Sequence, residues 1–131
     1  MSVIDARIAK LDSERLEWRS ARPLSHLIPG RGVAVLRRSG EQAALFRLED
    51  DTLRAVSNFD PYGRAAVMSG GLVGDRDDEP IVLSPSLKQV FSLIDGRALD
   101  DESVSLSVYE IHVWAGVVQV HSTDRVVETA S

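Results

Sequence analysis

A succession of short runs rich in β-branched and aromatic residues, separated by turn-forming residues, limits most strongly what this chain can fold into. No helical periodicity of comparable strength lies between the runs, so a doubly wound α/β fold is excluded. Ser39-Gly40 and Ala115-Gly116 lie between consecutive runs, which is typical of β-hairpins. The pattern predicts an all-β, antiparallel fold, either a β-sandwich or a partly open barrel. The predicted strands are 16–22, 32–38, 42–48, 52–58, 81–84, 89–93, 107–114 and 116–122.

The strand pattern occupies residues 16–122, which we predict to form a single β domain. Residues 1–15 are predicted to be an N-terminal extension, and residues 123–131, where the periodicity is lost, a flexible tail. One helical turn is expected at 24–28. Residues 58–80 are rich in Gly, Asp and Pro and too long for a simple turn. We therefore expect them to form a structured excursion from the sheet, the kind of loop that commonly carries function.

The expected core follows from the alternation of apolar positions along the strands, because successive side chains of a strand point to opposite faces. An apolar content of 44% is ordinary for a soluble domain with one core. The expected core residues are Val33, Val35, Phe46, Leu48, Val82, Phe91, Ile111, Val113 and Val118.

The composition excludes several classes of chemistry. The chain has no cysteine, which removes disulfides, thiolate nucleophiles, thiolate zinc sites and all-cysteine iron–sulfur ligation. Its 20 acidic residues exceed its 15 basic residues, so the net charge is −5 and we expect no nucleic-acid partner. No apolar run reaches the roughly 18 residues of a membrane span. We expect no membrane association and a cytoplasmic location.

Isolated polar clusters do not assemble into a recognisable metal or catalytic site. His26, His112 and His121 lack the spacing of metal ligands, although the last two lie on one predicted hairpin, and we interpret all three as structural. The acidic runs 75–79 and 100–102 are interpreted as solvated loops, since neither has the order of residues that a calcium loop needs. No serine lies in a nucleophile motif, so we predict no catalytic residue in this chain.

Three stretches, in fixed order, resemble a Rieske domain: AVSNFDPY at 55–62, MSGG at 68–71, and the segment 82–97 that contains SPSLKQVF and DGR. In a Rieske ferredoxin the corresponding loops carry C-P-H and C-P-x-H. The resemblance places the four ligand positions on Asp60, Tyr62, Ser84 and Leu87. A Rieske centre needs two cysteines and two histidines, and none of the four residues is either. The resemblance therefore implies a Rieske-like fold with a loop-rich small lobe that lacks the [2Fe-2S] ligands.

This ligand-free variant, with S-x-G-x-x-G-D from Ser69 followed by S-P-x-x-K-Q-x-F from Ser84, resembles the small subunit of assimilatory NAD(P)H-dependent nitrite reductase. The resemblance runs from about residue 16 to about residue 121. It implies a non-catalytic chain that binds no cofactor and associates with a large subunit. By the same resemblance, that large subunit carries FAD, an iron–sulfur cluster and siroheme, and it reduces nitrite to ammonium with electrons from NAD(P)H.

The leading hypothesis is that the loops which would otherwise cover a cluster bind the large subunit, with Asp60, Tyr62, Lys88 and Gln89 as candidate contacts. The same residues are also compatible with simple loop closure, in which Asp60 caps a turn and Tyr62 packs on Pro85. A different function, a cluster-less binding module of another oxidoreductase system, is the alternative. The ligand positions argue against a stand-alone electron carrier.

Overall fold

The structure is a computed structural model that describes residues 18–37, 39–86 and 89–124. Its thirteen strands are β1 Trp18–Pro23, β2 Gly32–Leu36, β3 Gln42–Arg47, β4 Leu53–Ser57, β5 Phe59–Asp60, β6 Ala65–Ala66, β7 Leu72–Arg76, β8 Glu79–Leu83, β9 Val90–Ser92, β10 Arg97–Ala98, β11 Asp101–Ser105, β12 Tyr109–Trp114 and β13 Val117–Asp124. Two short 3-10 turns, Leu24–His26 and Met68–Gly70, complete the regular structure of this part of the chain. The prediction of an all-β fold is confirmed. None of the helical segments in the described ranges has the length and apolar character needed to cross a bilayer.

The strands form four antiparallel sheets, with the spatial orders β1-β13-β12, β2-β3-β4, β11-β10-β9-β8-β7 and β5-β6. The first two sheets meet where β4 approaches β12, through a bridge between Val56 and Val108. A backbone hydrogen bond of 2.9 Å from Ser57 N to Ser107 O reinforces this junction. The five-stranded sheet and the small β5-β6 sheet form the lobe that carries the predicted ligand loops.

The main core lies between the β2-β3-β4 sheet and the five-stranded sheet. Phe46 from β3 and Phe91 from β9 are both fully buried there, together with Val56, Met68 and Val82. Burying an aromatic side chain of this size is among the largest single contributions to a domain's stability. The core therefore joins the two lobes and fixes the position of the loops that follow β5 and β8.

Most of the expected core is confirmed, with one error. Val35, Phe46, Leu48, Val82, Phe91 and Val118 are buried, and Val33 and Ile111 are half-buried and pack against a second apolar cluster. Val113 was expected in the core but is 42% exposed. It lies on the inward side of β12 close to the Ala115-Gly116 turn, and burial falls along that side from Tyr109, which is 3% exposed, towards the turn. The tip of the hairpin is therefore not covered.

The excursion from 58 to 80 is structured, and much of it is strand that the sequence did not predict. Asp77 and Asp78 both adopt positive φ, 52° and 64°, and form the two-residue turn between β7 and β8. Glu79 opens β8 and pairs with Arg97 at 2.7 Å. The interpretation of 75–79 and 100–102 as loops is thus wrong where these runs enter strands, since Asp101 begins β11, although most of their acidic residues are exposed as predicted.

Strand β13 continues to Asp124, beyond the predicted domain end at 122. The predicted extension 1–15 and residues 125–131 of the predicted tail lie outside the described residues.

Candidate functional site

The two predicted ligand loops meet at a buried carboxylate. Asp60 ends β5, Ser84 follows β8, and both are fully buried. The Ser84 hydroxyl donates a hydrogen bond to Asp60 Oδ2, and the Ser86 hydroxyl donates to the same oxygen at 2.7 Å. The backbone N–H of Tyr62 donates to Asp60 Oδ1 at 2.8 Å. We call this group, Asp60, Ser84 and Ser86, the carboxylate lock, because it joins one loop to the other.

The carboxylate of the lock is held in its charged form. Burial by itself raises the pKa of the Asp60 carboxyl, but hydrogen bonds from Ser84, Ser86, Gly63 N and Tyr62 N together outweigh burial. The pKa therefore lies below its ordinary value of 3.8. Gly63 lies so close that a Cβ there would sit 3.0 Å from Asp60 Oδ2 and 3.3 Å from Ser86 Cβ. The absence of a side chain at position 63 lets its backbone approach the carboxylate.

Asn58 fixes the base of the first loop. It is 1% exposed, and its side-chain amide donates to Gln42 Oε1 at 2.9 Å and to Ala66 O at 3.2 Å. Its side-chain oxygen accepts a hydrogen bond of 2.7 Å from Ser69 N. These bonds tie the excursion to β3. Sequence reasoning missed this role, because its only local signal is an asparagine at the end of a predicted strand.

Tyr62 connects the first loop to β11. Its hydroxyl donates to Asp101 Oδ2 at 2.8 Å, and its ring centroid lies 6.1 Å from that of Phe91. Burial, the hydrogen bond to Asp101 and the nearby negative charges of Asp101 and Asp60 raise the pKa of Tyr62 to about 12. Ser103 donates to the same Asp101 carboxylate at 2.6 Å. The sequence analysis included Asp101 only in the acidic run 100–102 and did not assign it this contact, because its partner Tyr62 lies 39 positions away.

The residues present do not fit a Rieske cluster. The three described ligand positions offer a carboxylate, a phenol and a hydroxyl, and their polar atoms already bond one another or Asp101. Leu87, the fourth position, lies outside the described residues, and a leucine side chain has no donor atom. A Rieske centre requires thiolate and imidazole ligands. Within the described ranges, no three His, Asp or Glu side chains are grouped as metal ligands would be.

The candidate partner contacts differ in their accessibility. Asp60 has no exposed surface, so it cannot itself touch a partner, and its place is inside the carboxylate lock. Tyr62 and Gln89 are half-buried; Gln89 O accepts a 3.2 Å hydrogen bond from Ser84 N. Lys88 lies outside the described residues. Phe59, which the sequence analysis did not select, is 49% exposed directly beside Asp60.

Comparison with known proteins agrees with this geometry. Residues 17–121 match the family described as Rieske-like [2Fe-2S] domain. Fold and site together define a Rieske-like domain whose predicted ligand positions hold no cluster donors. The chain is 40% identical over 105 residues to the nitrite reductase (NADH) small subunit of Salmonella typhimurium. The aligned segment covers 79% of this chain and 96% of the relative. The chain belongs to the family of nitrite reductase small subunits.

Two further comparisons bear on structure and context. A crystal structure from Mycobacterium tuberculosis, provisionally described as an NADH-dependent nitrite reductase small subunit, is 52% identical, with a TM-score of 0.77. The match covers 85% of this chain and 96% of the Mycobacterium tuberculosis chain. In addition, 93 residues are 39% identical to a segment of the nitrite reductase [NAD(P)H] large subunit of Klebsiella oxytoca; the match spans 71% of this chain and 10% of that protein.

Proposed function

We propose that this chain is the non-catalytic small subunit of a cytoplasmic NAD(P)H-dependent nitrite reductase that assimilates nitrite as ammonium. In this proposal it binds a large subunit that carries FAD, an iron–sulfur cluster and siroheme. The observation that carries the proposal is the carboxylate lock. The two Rieske-like loops keep their close approach, but a hydrogen-bonded carboxylate stands where the resemblance places cluster ligands. A fold that keeps its loops without redox ligands is suited to recognition.

The lock also supports a non-catalytic role. A general acid or base must reach the atom whose proton it moves. Asp60 and Ser84 are fully buried, and the oxygens of the Asp60 carboxylate accept bonds from Ser84, Ser86 and Tyr62 N. Because neither residue has exposed surface, a substrate cannot reach these groups.

The proposed docking surface includes the exposed residue Phe59 of β5. Phe59 is 49% exposed, and both neighbouring residues, Asn58 and Asp60, are buried and hydrogen-bonded. An apolar side chain held on a fixed backbone loses little conformational freedom on binding, which favours affinity. Tyr62, Lys88 and Gln89 remain proposed contacts with the same partner.

The similarity to part of a large subunit supports the choice of partner. In the Klebsiella oxytoca protein, a segment similar to this chain belongs to the same polypeptide as the rest of the large subunit. A domain that acts within the large-subunit polypeptide can also act together with a large subunit when it is a separate chain. This supports association in a defined complex.

Binding of purified large subunit to this chain tests the proposal. We expect Phe59→Ser and Lys88→Glu each to weaken binding about 10-fold or more, as truncation of an anchoring contact does. Ile94→Ser is the matched control, because Ile94 is 38% exposed on the turn after β9. Melting temperatures should stay unchanged, since exposed substitutions cost little stability. Unchanged affinity in both Phe59→Ser and Lys88→Glu would place the interface elsewhere, and no binding by the wild-type chain would refute the proposed function.

A further inference from the structure

A cleft of about 440 Å³ lies between the turn that joins β3 to β4 and the β7–β8 hairpin. Its volume falls within the range of about 300–1,000 Å³ that is usual for small-molecule sites. The apolar part of its lining consists of Leu48, Val73, Pro80 and Ile94. Leu48 belongs to the main core and Val73 packs against it. Neither Phe59 nor a residue of the carboxylate lock lines this cleft, so it is separate from the site described above.

Arg54 of β4 supplies a positive charge to the cleft. Its cross-strand partner Phe46 and its neighbour Val56, two positions along the strand, are buried in the main core, so the Arg54 side chain leaves β4 on that same side. A hydrogen bond from the Thr52 side chain does most to lower the pKa of Asp50, and the charge of Arg54 lowers it further. The guanidinium therefore lies near the β3–β4 turn. Although Arg54 also borders a smaller cleft between β4 and β12, both observations direct its charged end away from that cleft.

The guanidinium of Arg54 has no hydrogen-bond acceptor among the described residues. Its Nε is buried without an acceptor, and its two terminal nitrogens, equally without one, are not enclosed. A buried donor without an acceptor is unfavourable, and each such group in a native protein calls for an explanation such as a bound molecule or ion. The planar fork of an arginine takes a carboxylate through two parallel hydrogen bonds. The guanidinium of Arg54 therefore fits a carboxylate ligand.

A ligand with only a negative charge is disfavoured, because the exposed part of the cleft lining is acidic. Glu49 follows β3, and Asp75 and Asp78 belong to the β7–β8 hairpin; all three are exposed, and none forms an ion pair with another described residue. Asp75 follows Val73 by two positions in β7, so both point to the cleft side of the sheet. Gly30 leaves room for the Glu49 carboxylate, since a Cβ there would lie 3.0 Å from Glu49 Oε1. These carboxylates favour a positive charge on the ligand as well.

We propose that this cleft binds a small zwitterion of the amino-acid class, with its carboxylate on the guanidinium of Arg54 and its ammonium group among the acidic side chains of the lining. Such a ligand carries both charges that the cleft complements. It supplies the acceptors that the arginine lacks and partly neutralises the excess of negative charge around it.

Titration calorimetry of the full chain with glycine, β-alanine, 4-aminobutyrate and 6-aminohexanoate tests the proposal, because these probes differ in the separation of ammonium and carboxylate. We expect one separation to bind best and to raise the melting temperature at saturation, since a ligand of the folded state stabilises it. Acetate and methylammonium each carry one of the two charges and should bind at least about 10-fold more weakly. No heat and no change in melting temperature at about 50 mM of every amino-acid probe, well above a millimolar Kd, would overturn the proposal.

Substitutions in the lining separate the two charges. Arg54→Met removes the guanidinium but keeps an apolar stem, and we expect it to abolish binding. Its melting temperature without ligand should be at or above that of the wild type, because the substitution removes a buried donor that has no acceptor. Asp78→Asn should weaken binding about 5-fold or more. Asp77→Asn is the matched control, since Asp77 belongs to the same turn, also has positive φ and does not line the cleft.

Wild-type affinity in Arg54→Met would overturn the proposal. Binding of acetate as tight as that of the best amino acid would overturn it too, because the acidic lining would then have no role. If Arg54→Met does not fold, the double variant Asp75→Asn with Asp78→Asn decides the question: weaker binding of the amino acid supports the proposal, and unchanged binding overturns it. The large subunit takes no part in these measurements, so their failure leaves the proposed function intact.

Discussion

Ser84 donates a hydrogen bond to the carboxylate of Asp60 across 24 positions of sequence, and both side chains are fully buried. The bond connects the loop after β5 with the loop after β8. The sequence resemblance places two of the four Rieske ligand positions on these residues. The loops that would close around a cluster in a Rieske ferredoxin are instead joined here by a polar contact within the protein.

Removing the Ser84 hydroxyl should destabilise the fold measurably. A hydrogen bond to a buried charged group contributes roughly 1.5–3 kcal/mol, so Ser84→Ala should lower the free energy of unfolding by about that amount. Ser103→Ala is the matched control, because Ser103 also donates to a carboxylate, that of Asp101, but at an exposed position. It should cost about 0.5 kcal/mol or less. Urea denaturation measures both, and equal losses would contradict the importance of burial at the lock.

The stability of the protein should depend on pH through Asp60. Its folded-state pKa lies below 3.8, so the charged carboxylate stabilises the fold above that pH, and the contribution is lost as the pH falls through the lower folded-state value. Asp60→Asn should be less stable than wild type at neutral pH, with a difference that shrinks as the solution is acidified below 3.8. Denaturation curves at several pH values measure this difference. A constant difference across the acid range would be inconsistent with the lock.

Tyr62 should titrate at unusually high pH. Its pKa is raised to about 12, so the fold favours the neutral phenol; that contribution is complete below pH 10 and is lost as the pH rises towards 12. Ultraviolet absorbance of tyrosinate during alkaline titration measures it, and the chain has only two tyrosines. Subtracting the curve of Tyr62→Phe isolates Tyr62. Asp101→Asn should lower its pKa, and titration of Tyr62 at its ordinary pKa of 10 in the wild type would refute the Tyr62–Asp101 bond.

Restoring the missing donors should restore cluster binding, if the four ligand positions are correctly predicted. The variant Asp60→Cys, Tyr62→His, Ser84→Cys and Leu87→His supplies the two thiolates and two imidazoles of a Rieske centre. After anaerobic reconstitution with iron and sulfide, we expect about two iron atoms per chain and visible absorption that bleaches on reduction. The wild-type chain treated identically should stay colourless. A folded variant without iron would mean that these are not cluster positions, and iron in the wild type would contradict the conclusion that the residues present cannot hold a Rieske cluster.

The fold could be predicted from the sequence where local chemistry decides the structure. The β12–β13 hairpin is an example, because Ala115 and Gly116 adopt the positive φ values, 51° and 78°, that a tight hairpin turn needs. The β7–β8 hairpin was missed, although Asp77 and Asp78 form an equivalent turn. Two adjacent aspartates more often indicate a solvated loop than a turn. A residue pattern alone did not separate these possibilities.

The candidate site was predictable as a pair of loops but not as a set of contacts. Motif order placed Asp60 and Ser84 at corresponding positions, yet nothing local indicates that a hydroxyl meets a carboxylate from another strand. The stack of Trp18 on His112 likewise depends on the register of β1 against β13 and of β13 against β12. Such contacts between distant segments follow from the tertiary arrangement, which sequence patterns do not encode locally.

The measurement that tests the central claim most directly is nitrite-dependent oxidation of NADH by purified large subunit, with and without an equimolar amount of this chain. We predict that the chain alone oxidises no NADH and that its addition raises the turnover of the large subunit, because the chain acts by binding rather than by chemistry. Nitrite reduction by the chain alone would contradict the account. So would full turnover of the large subunit that stays the same when a saturating amount of this chain is added.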